Sequence, residues 1–244
     1  MASLSIARQG SPVKAIESDA LVVRTIAYGE ADVIATLLTA TYGKLGALLR
    51  GGRRSKRRAS GALEPFHTVH ASLDDRGGDL LTLREARIVR VRSGMTGSLA
   101  VLEAGGLALR WLRHLTPPRH PEPAAWATTL TLLDVLDGCP AEPRAALAVA
   151  ALRLLSDVGY GLELTRCVAC GKPCPDGRPA CVDASRGGLV CQACGGARFL
   201  LSSCTRRLAM EAQRGGDVTF AREQTEQVLA MVDGAMSAHG EFRA

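Results

Sequence analysis

Aromatic side chains are scarce: 2 Trp, 3 Tyr and 4 Phe among 244 residues. Single-strand binding that relies on stacking needs several exposed rings, so a surface of that kind is not expected. Long apolar runs are missing as well. No stretch approaches about 18 consecutive apolar residues, so no membrane-spanning helix is expected. The opening MASLSIARQGSPVK lacks the apolar centre of a secretory signal, and a soluble, cytoplasmic protein is the expectation. Catalytic signatures are absent too: there is no GxxxxGK[ST] loop, no GxSxG, no HExxH and no GxGxxG after a strand. His67 and His70 would face opposite sides of a strand and read as structural or surface groups. Asp74, Asp75 and Asp79 lie in a Gly-rich stretch and read as a solvated hairpin tip rather than the metal site of a nuclease. An enzyme is not expected.

What is present folds. The chain is 47% hydrophobic and 22% charged, outside the range of disordered sequences. Its formal net charge of +6 is unevenly spread. Residues 1–92 hold 15 Lys and Arg against 9 Asp and Glu, which is the whole excess. A field of that sign attracts a polyanion.

Residues 1–92 read as five β-strands. Turns are expected at Tyr28-Gly29-Glu30, at Thr41-Tyr42-Gly43-Lys44 and at Asp74–Gly78. Five strands in this length are the count of an OB-type barrel, with an SH3-like barrel or an open sheet as alternatives. One or more of Tyr28, Tyr42 and Phe66 is expected to fill the barrel core. Between the third and fourth strands runs RGGRRSKRR, with Arg50, Arg53, Arg54, Lys56, Arg57 and Arg58 and no acid. A loop anchored at both ends holds its charge near a defined surface. It reads as a phosphate grip on nucleic acid, with a merely solvated loop as the bland alternative. Lys44 and Arg24 are candidates to extend the same surface, as are Arg84, Arg87 and Arg90. Contact through the backbone predicts weak sequence preference and acceptance of double strands. If about five cations neutralise phosphates, the log–log salt slope on single strands is roughly −3 to −4.

From about residue 97 the periodicity becomes helical. Leu99, Leu102, Leu107, Leu109 and Leu112 recur broadly at helical spacing, interrupted by Gly105-Gly106. TPPRHPEP breaks the pattern, and Pro143 suits a first helical turn. Leu147, Ala151, Leu154, Leu155 and Val158 make one apolar face. Two more helices are expected after residue 200. The organisation is α+β and multidomain: an OB-type barrel over 1–92, a helical domain over 93–166 and 198–244, and a cysteine-rich insert over 167–197.

That insert carries the most specific local signal. Cys167-x-x-Cys170 and Cys191-x-x-Cys194 are two knuckles followed by Gly171 and by Gly195-Gly196. In a reducing compartment such pairs read as one structural Zn²⁺ site, closed by four thiolates. Cys174 is an alternative to Cys170, Cys181 is surplus, and Cys139 and Cys204 read as buried small hydrophobes.

The order of these parts, with YGEAD at 28–32, TATYGKLGALLRGGRR at 39–54, LEPF at 63–66 and LTRCVACG at 164–171, resembles the RecO family of bacterial recombination mediators. The resemblance implies binding of single- and double-stranded DNA and annealing of complementary strands. It also implies action with RecR to load RecA on strands coated by single-stranded-DNA-binding protein (SSB), in the bacterial cytoplasm at the nucleoid. Many members lack the four cysteines, so the zinc insert marks a subgroup. Rival readings are a zinc-bearing transcription or RNA-binding factor and a non-enzymatic interaction scaffold.

Overall fold

The computed structural model describes residues 13–52 and 61–239. These fall into two compact units, one holding residues 13–39, 45–52 and 61–91, the other Ala40–Lys44 and residues 92–239.

In the first unit, alternating apolar residues build five strands: β1 (Lys14–Tyr28), β2 (Asp32–Thr39), β3 (Gly43–Leu49), β4 (Thr68–Asp75) and β5 (Leu80–Arg90). Burial along β3 alternates residue by residue, the period of a strand with one face inside. The strands close in the order β1-β2-β3-β5-β4, with β4 returning to β1. β3 and β5 run parallel and the β1–β2, β1–β4 and β4–β5 pairs antiparallel, the topology of an OB-type barrel. β1 is long because its first half pairs with β4 and its second half with β2. The change of partner coincides with a register shift between Val22 and Arg24, and Val22 bonds to Phe66 and His67 there. An irregularity of this kind bends a strand enough to close a small barrel.

The core of the barrel is aliphatic, including Leu21, Val22, Leu37, Leu38, Leu45, Val69, Leu73, Leu81 and Leu83. None of the three expected rings fills it. Tyr42 and Phe66 are half-buried and Tyr28 is 54% exposed. All three lie at strand ends or in connections, where the alternation that points a side chain inward no longer applies. Asp74 also departs from expectation. It is buried on the barrel and held by Arg84 at 2.6 Å, because strand β4 continues through it before the turn begins. Asp75 accepts from Gly77 N in that turn, and Asp79 is exposed. His70 lies across from Asp19 and bonds to it at 2.8 Å, while His67 is buried near Glu64.

The second unit contains five helices among the described residues: α1 (Leu99–Leu115), α2 (Pro123–Asp137), α3 (Pro143–Asp157), α4 (Ser203–Gln213) and α5 (Arg222–His239). Ser98 and Ser202 cap α1 and α4 by accepting from Val101 N and Thr205 N, and prolines open α2 and α3. α3 is central, packing on each of the other four, and it is buried on nearly all sides through Leu147, Ala148, Ala151, Leu152, Leu154 and Leu155. Val158, just past its end, is half-buried. On α1 the buried face is Val101, Ala104, Ala108, Trp111, Leu112 and Leu115, with Gly105 inside the helix. Leu99 and Leu102 face outward; in a segment this rich in Leu and Ala, leucine positions alone do not select the face.

Between α3 and α4 lies a four-stranded sheet of β6 (Glu163–Cys167), β7 (Ala180–Asp183), β8 (Gly188–Leu189) and β9 (Phe199–Leu201), in the order β6-β8-β7-β9. Cys139 and Cys204 are exposed, against expectation. Cys139 is in the left-handed region past α2, where its Sγ donates to Gly94 O, and Cys204 Sγ accepts from the Gln224 amide. No described helix is long and apolar enough to cross a membrane.

Candidate nucleic-acid interface and metal centre

The chain leaves β3 at Leu49, and Arg50 is exposed at the start of the basic loop. Gly51 adopts φ +66, a conformation that favours glycine. Its amide donates to Asp32 Oδ1 at 2.8 Å. Gly52 is buried between β3 and β2, where a Cβ would come within 2.8 Å of the Leu49 side chain and 3.2 Å of Val33. The root of the loop is thereby fixed beside the β1–β2 hairpin, since Asp32 pairs with Tyr28. Arg53, Arg54, Lys56, Arg57 and Arg58 lie outside the described residues.

Arg24 is exposed on β1 opposite Thr36, and among the described residues no acid pairs with Arg24 or Arg50. The remaining candidate cations are engaged or placed differently. Arg84 is bound to Asp74, and Arg87 lies 3.6 Å from Glu85. Lys44 is half-buried, and its Nζ donates to the Arg113 carbonyl near the C-terminal end of α1, where a cation is favoured. Burial and the neighbouring Arg113 charge push its pKa down. The Gly43-Lys44 pair is thus built into the helical unit. Gly43 has φ +67 with His120 O where a Cβ would be, and Lys44 O accepts from Arg119 N.

The four knuckle cysteines converge. Sγ of Cys167, Cys170, Cys191 and Cys194 all lie within 4.8 Å of one another. The Cys170–Cys191 separation is 3.7 Å, close to the roughly 3.8 Å edge of a tetrahedron with metal–sulfur bonds of about 2.3 Å. Tight turns close both halves, the second one residue longer: Gly171 N donates to Cys167 O and Gly196 N to Cys191 O, with positive φ at Gly171, Gly195 and Gly196. Cys191 N donates to Cys167 Sγ at 3.3 Å, and this bond chiefly lowers the Cys167 thiol to about 6. Contact with the Cys191 and Cys170 thiols pushes Cys194 up to about 12. Four converging sulfurs with amide support fit a metal ion that replaces thiol–thiol crowding by thiolate ligation. Cys174 is outside the tetrad, its Sγ directed to Pro175 O, and Cys181 accepts from the Gln192 side chain.

Arg206 on α4 supports this centre and was not legible from the sequence. Its side chain is 3% exposed, and it donates to Leu164 O, Cys174 O and Pro175 O. It thereby joins β6, which leads into Cys167, to the segment after the first knuckle. The available signal was a cation in the apolar register of α4, alongside Thr205, Ala209 and Ala212.

Comparison with known proteins decides the family. Residues 13–92 match the family described as Recombination protein O N terminal, and residues 100–243 match Recombination protein O C terminal. The chain belongs to the RecO family. It is 37% identical to the DNA repair protein RecO of Anaeromyxobacter sp. (strain K) over 207 residues, covering 83% of this chain and 81% of that one. To the DNA repair protein RecO of Geobacter sulfurreducens it is 35% identical over 232 residues, 92% of each chain. The RecO protein of Myxococcus xanthus is 35% identical over 179 residues, covering 73% and 72%. Membership assigns this chain a role in DNA repair. The RecO architecture here is a barrel, a helical domain and a four-cysteine cluster suited to a metal.

Proposed function

We propose that this RecO protein is a non-enzymatic recombination mediator that binds single- and double-stranded DNA through phosphates and anneals complementary strands. It acts with RecR to promote RecA loading on SSB-coated DNA in the bacterial cytoplasm, at the nucleoid. The observation that carries this reading is the anchoring of the basic loop at the rim of an OB-type barrel by Asp32 and Gly51. In barrels of this type, the loops at such a rim are common oligonucleotide contacts.

The chemistry follows from charge. Two strands repel through their phosphates, and a cationic loop screens that repulsion while leaving base edges free to pair. Arg24 and Arg50 together with Arg53, Arg54, Lys56, Arg57 and Arg58 form the proposed grip. Lys44 serves the fold. In the insert, Cys167, Cys170, Cys191 and Cys194 hold one Zn²⁺, which the all-sulfur tetrahedral donor set favours. With four thiolates around it, the ion has no position for substrate and its role is structural.

The test reverses the loop charge with Arg53→Glu, Arg54→Glu, Lys56→Glu, Arg57→Glu and Arg58→Glu together. Most DNA binding and annealing should be lost while the thermal melt is unchanged. Full binding by this folded variant would move the DNA path elsewhere.

A further inference from the structure

Along β1, Arg24, Ile26 and Tyr28 occupy one face without a register break, opposite Thr36, Ile34 and Asp32 of β2. All three are exposed, Ile26 by 40% and Tyr28 by 54%. Successive residues on one strand face are about 6.8 Å apart. This is a row of cation, aliphatic and aromatic groups that leads to the β1–β2 turn and, through Asp32, to Gly51 beside Arg50. Ile26 and Tyr28 take no part in the barrel core, which is filled without them, and they present an aliphatic and an aromatic group side by side to solvent.

We propose that this face is a stacking subsite for an unpaired strand. Tyr28 stacks on one base, Ile26 packs against the adjoining base or sugar, and Arg24 takes a phosphate. The inference rests on the DNA-binding reading above and adds a preference to it. A cationic loop alone treats single and double strands alike, whereas a ring can lie on a base face only when that base is out of a duplex. The occupant follows from charge complementarity: Arg24 shares the strand face with the apolar pair, and Arg50 adjoins Gly51, which is held by Asp32 opposite Tyr28. Among the described residues neither arginine has an acidic partner, and Asp32 is an anion the strand must pass. One ring makes the subsite a preference and not a hold, so a base can still leave it to pair with an incoming strand.

The experiment compares Tyr28→Ala, Tyr28→Phe and Arg24→Ala with the parent, using a labelled dT20 strand and a 20-base-pair duplex. Tyr28→Ala should weaken dT20 binding by roughly five- to a hundred-fold and leave duplex binding within about twofold. Tyr28→Phe should restore dT20 binding, and Arg24→Ala should weaken both ligands and flatten the salt slope by about one contact. Equal losses on both ligands, or no loss on dT20, would overturn the subsite. The charge-reversed loop separates the two ideas. If it abolishes binding to both ligands while Tyr28→Ala changes neither, the subsite fails and the phosphate grip stands. If it changes neither ligand, the grip itself fails.

Discussion

The Asp32 carboxylate accepts a hydrogen bond from the Gly51 amide at 2.8 Å, across 19 residues of sequence. It places one anion at the root of a loop that is otherwise cationic, and the two effects of that anion have opposite signs. As an acceptor it fixes the root of the loop; as a charge it would repel a phosphate held there. Asp32→Asn keeps the acceptor and removes the charge. It should retain the melt and tighten DNA binding at low salt by less than about tenfold, the gain fading as the Debye length shrinks. Asp32→Ala removes the acceptor as well and should lower stability by about 1 kcal/mol. Melting curves and oligonucleotide titrations at two salt concentrations check both.

Gly43 and Lys44 separate fold from binding. A Cβ at Gly43 would lie 2.0 Å from His120 O at φ +67, so Gly43→Ala should cost more than about 2 kcal/mol in a chemical unfolding titration. Lys44→Met should also lower stability, by about 1 kcal/mol, since the Arg113 carbonyl loses its donor. Its salt slope for DNA binding should match the parent. A flattened slope in Lys44→Met would return Lys44 to the phosphate grip.

The metal centre predicts a paired result. Cys167→Ser with Cys191→Ser should release one equivalent of zinc, measured by elemental analysis, and lower the melt. Arg206→Ala leaves the buried carbonyl of Leu164 without its Arg206 donor and removes the part-buried bond to Pro175 O, and should cost about 1–3 kcal/mol. The Arg206 variant should also surrender zinc to a chelator faster than the parent does.

Acid sensitivity is expected where α3 meets α5. Arg144 donates to both carboxylate oxygens of Glu226, and that bond chiefly holds the Glu226 carboxyl below its ordinary value. A carboxylate whose pKa is lowered by folding stabilises the fold above its unfolded pKa, and the contribution disappears as pH falls through the folded value. Both side chains are about half exposed, so the contribution is below about 1 kcal/mol. Glu226→Gln should be slightly less stable than the parent at pH 7 and equal to it once the carboxylate is protonated, as read from unfolding titrations of both proteins.

Local signals were legible and distant ones were not. The Tyr28-Gly29-Glu30 turn, the alternation of β3 and the two cysteine knuckles are set by residues a few positions apart, so their spacing alone identified them. Asp74 was misread as solvated because its partner, Arg84, comes from the next strand. Lys44 looked like one more surface cation because nothing near it in sequence shows the Arg113 carbonyl. Arg206 was invisible for the same reason, its acceptors lying at 164, 174 and 175. Scarcity of aromatics pointed to a surface without rings, yet the aliphatic barrel core leaves Tyr28 outside. Composition counts rings but does not place them.

The most direct test of the phosphate grip is the anisotropy of a labelled single-stranded oligonucleotide titrated with protein across a salt series, with the charge-reversed loop alongside. The parent should show a log–log slope of roughly −3 to −4, and the variant should show little binding and a slope flattened to about the one or two contacts left to Arg24 and Arg50. Binding that is indifferent to salt, or a variant as steep as the parent, would contradict the central claim that the loop between β3 and β4 holds DNA by its phosphates.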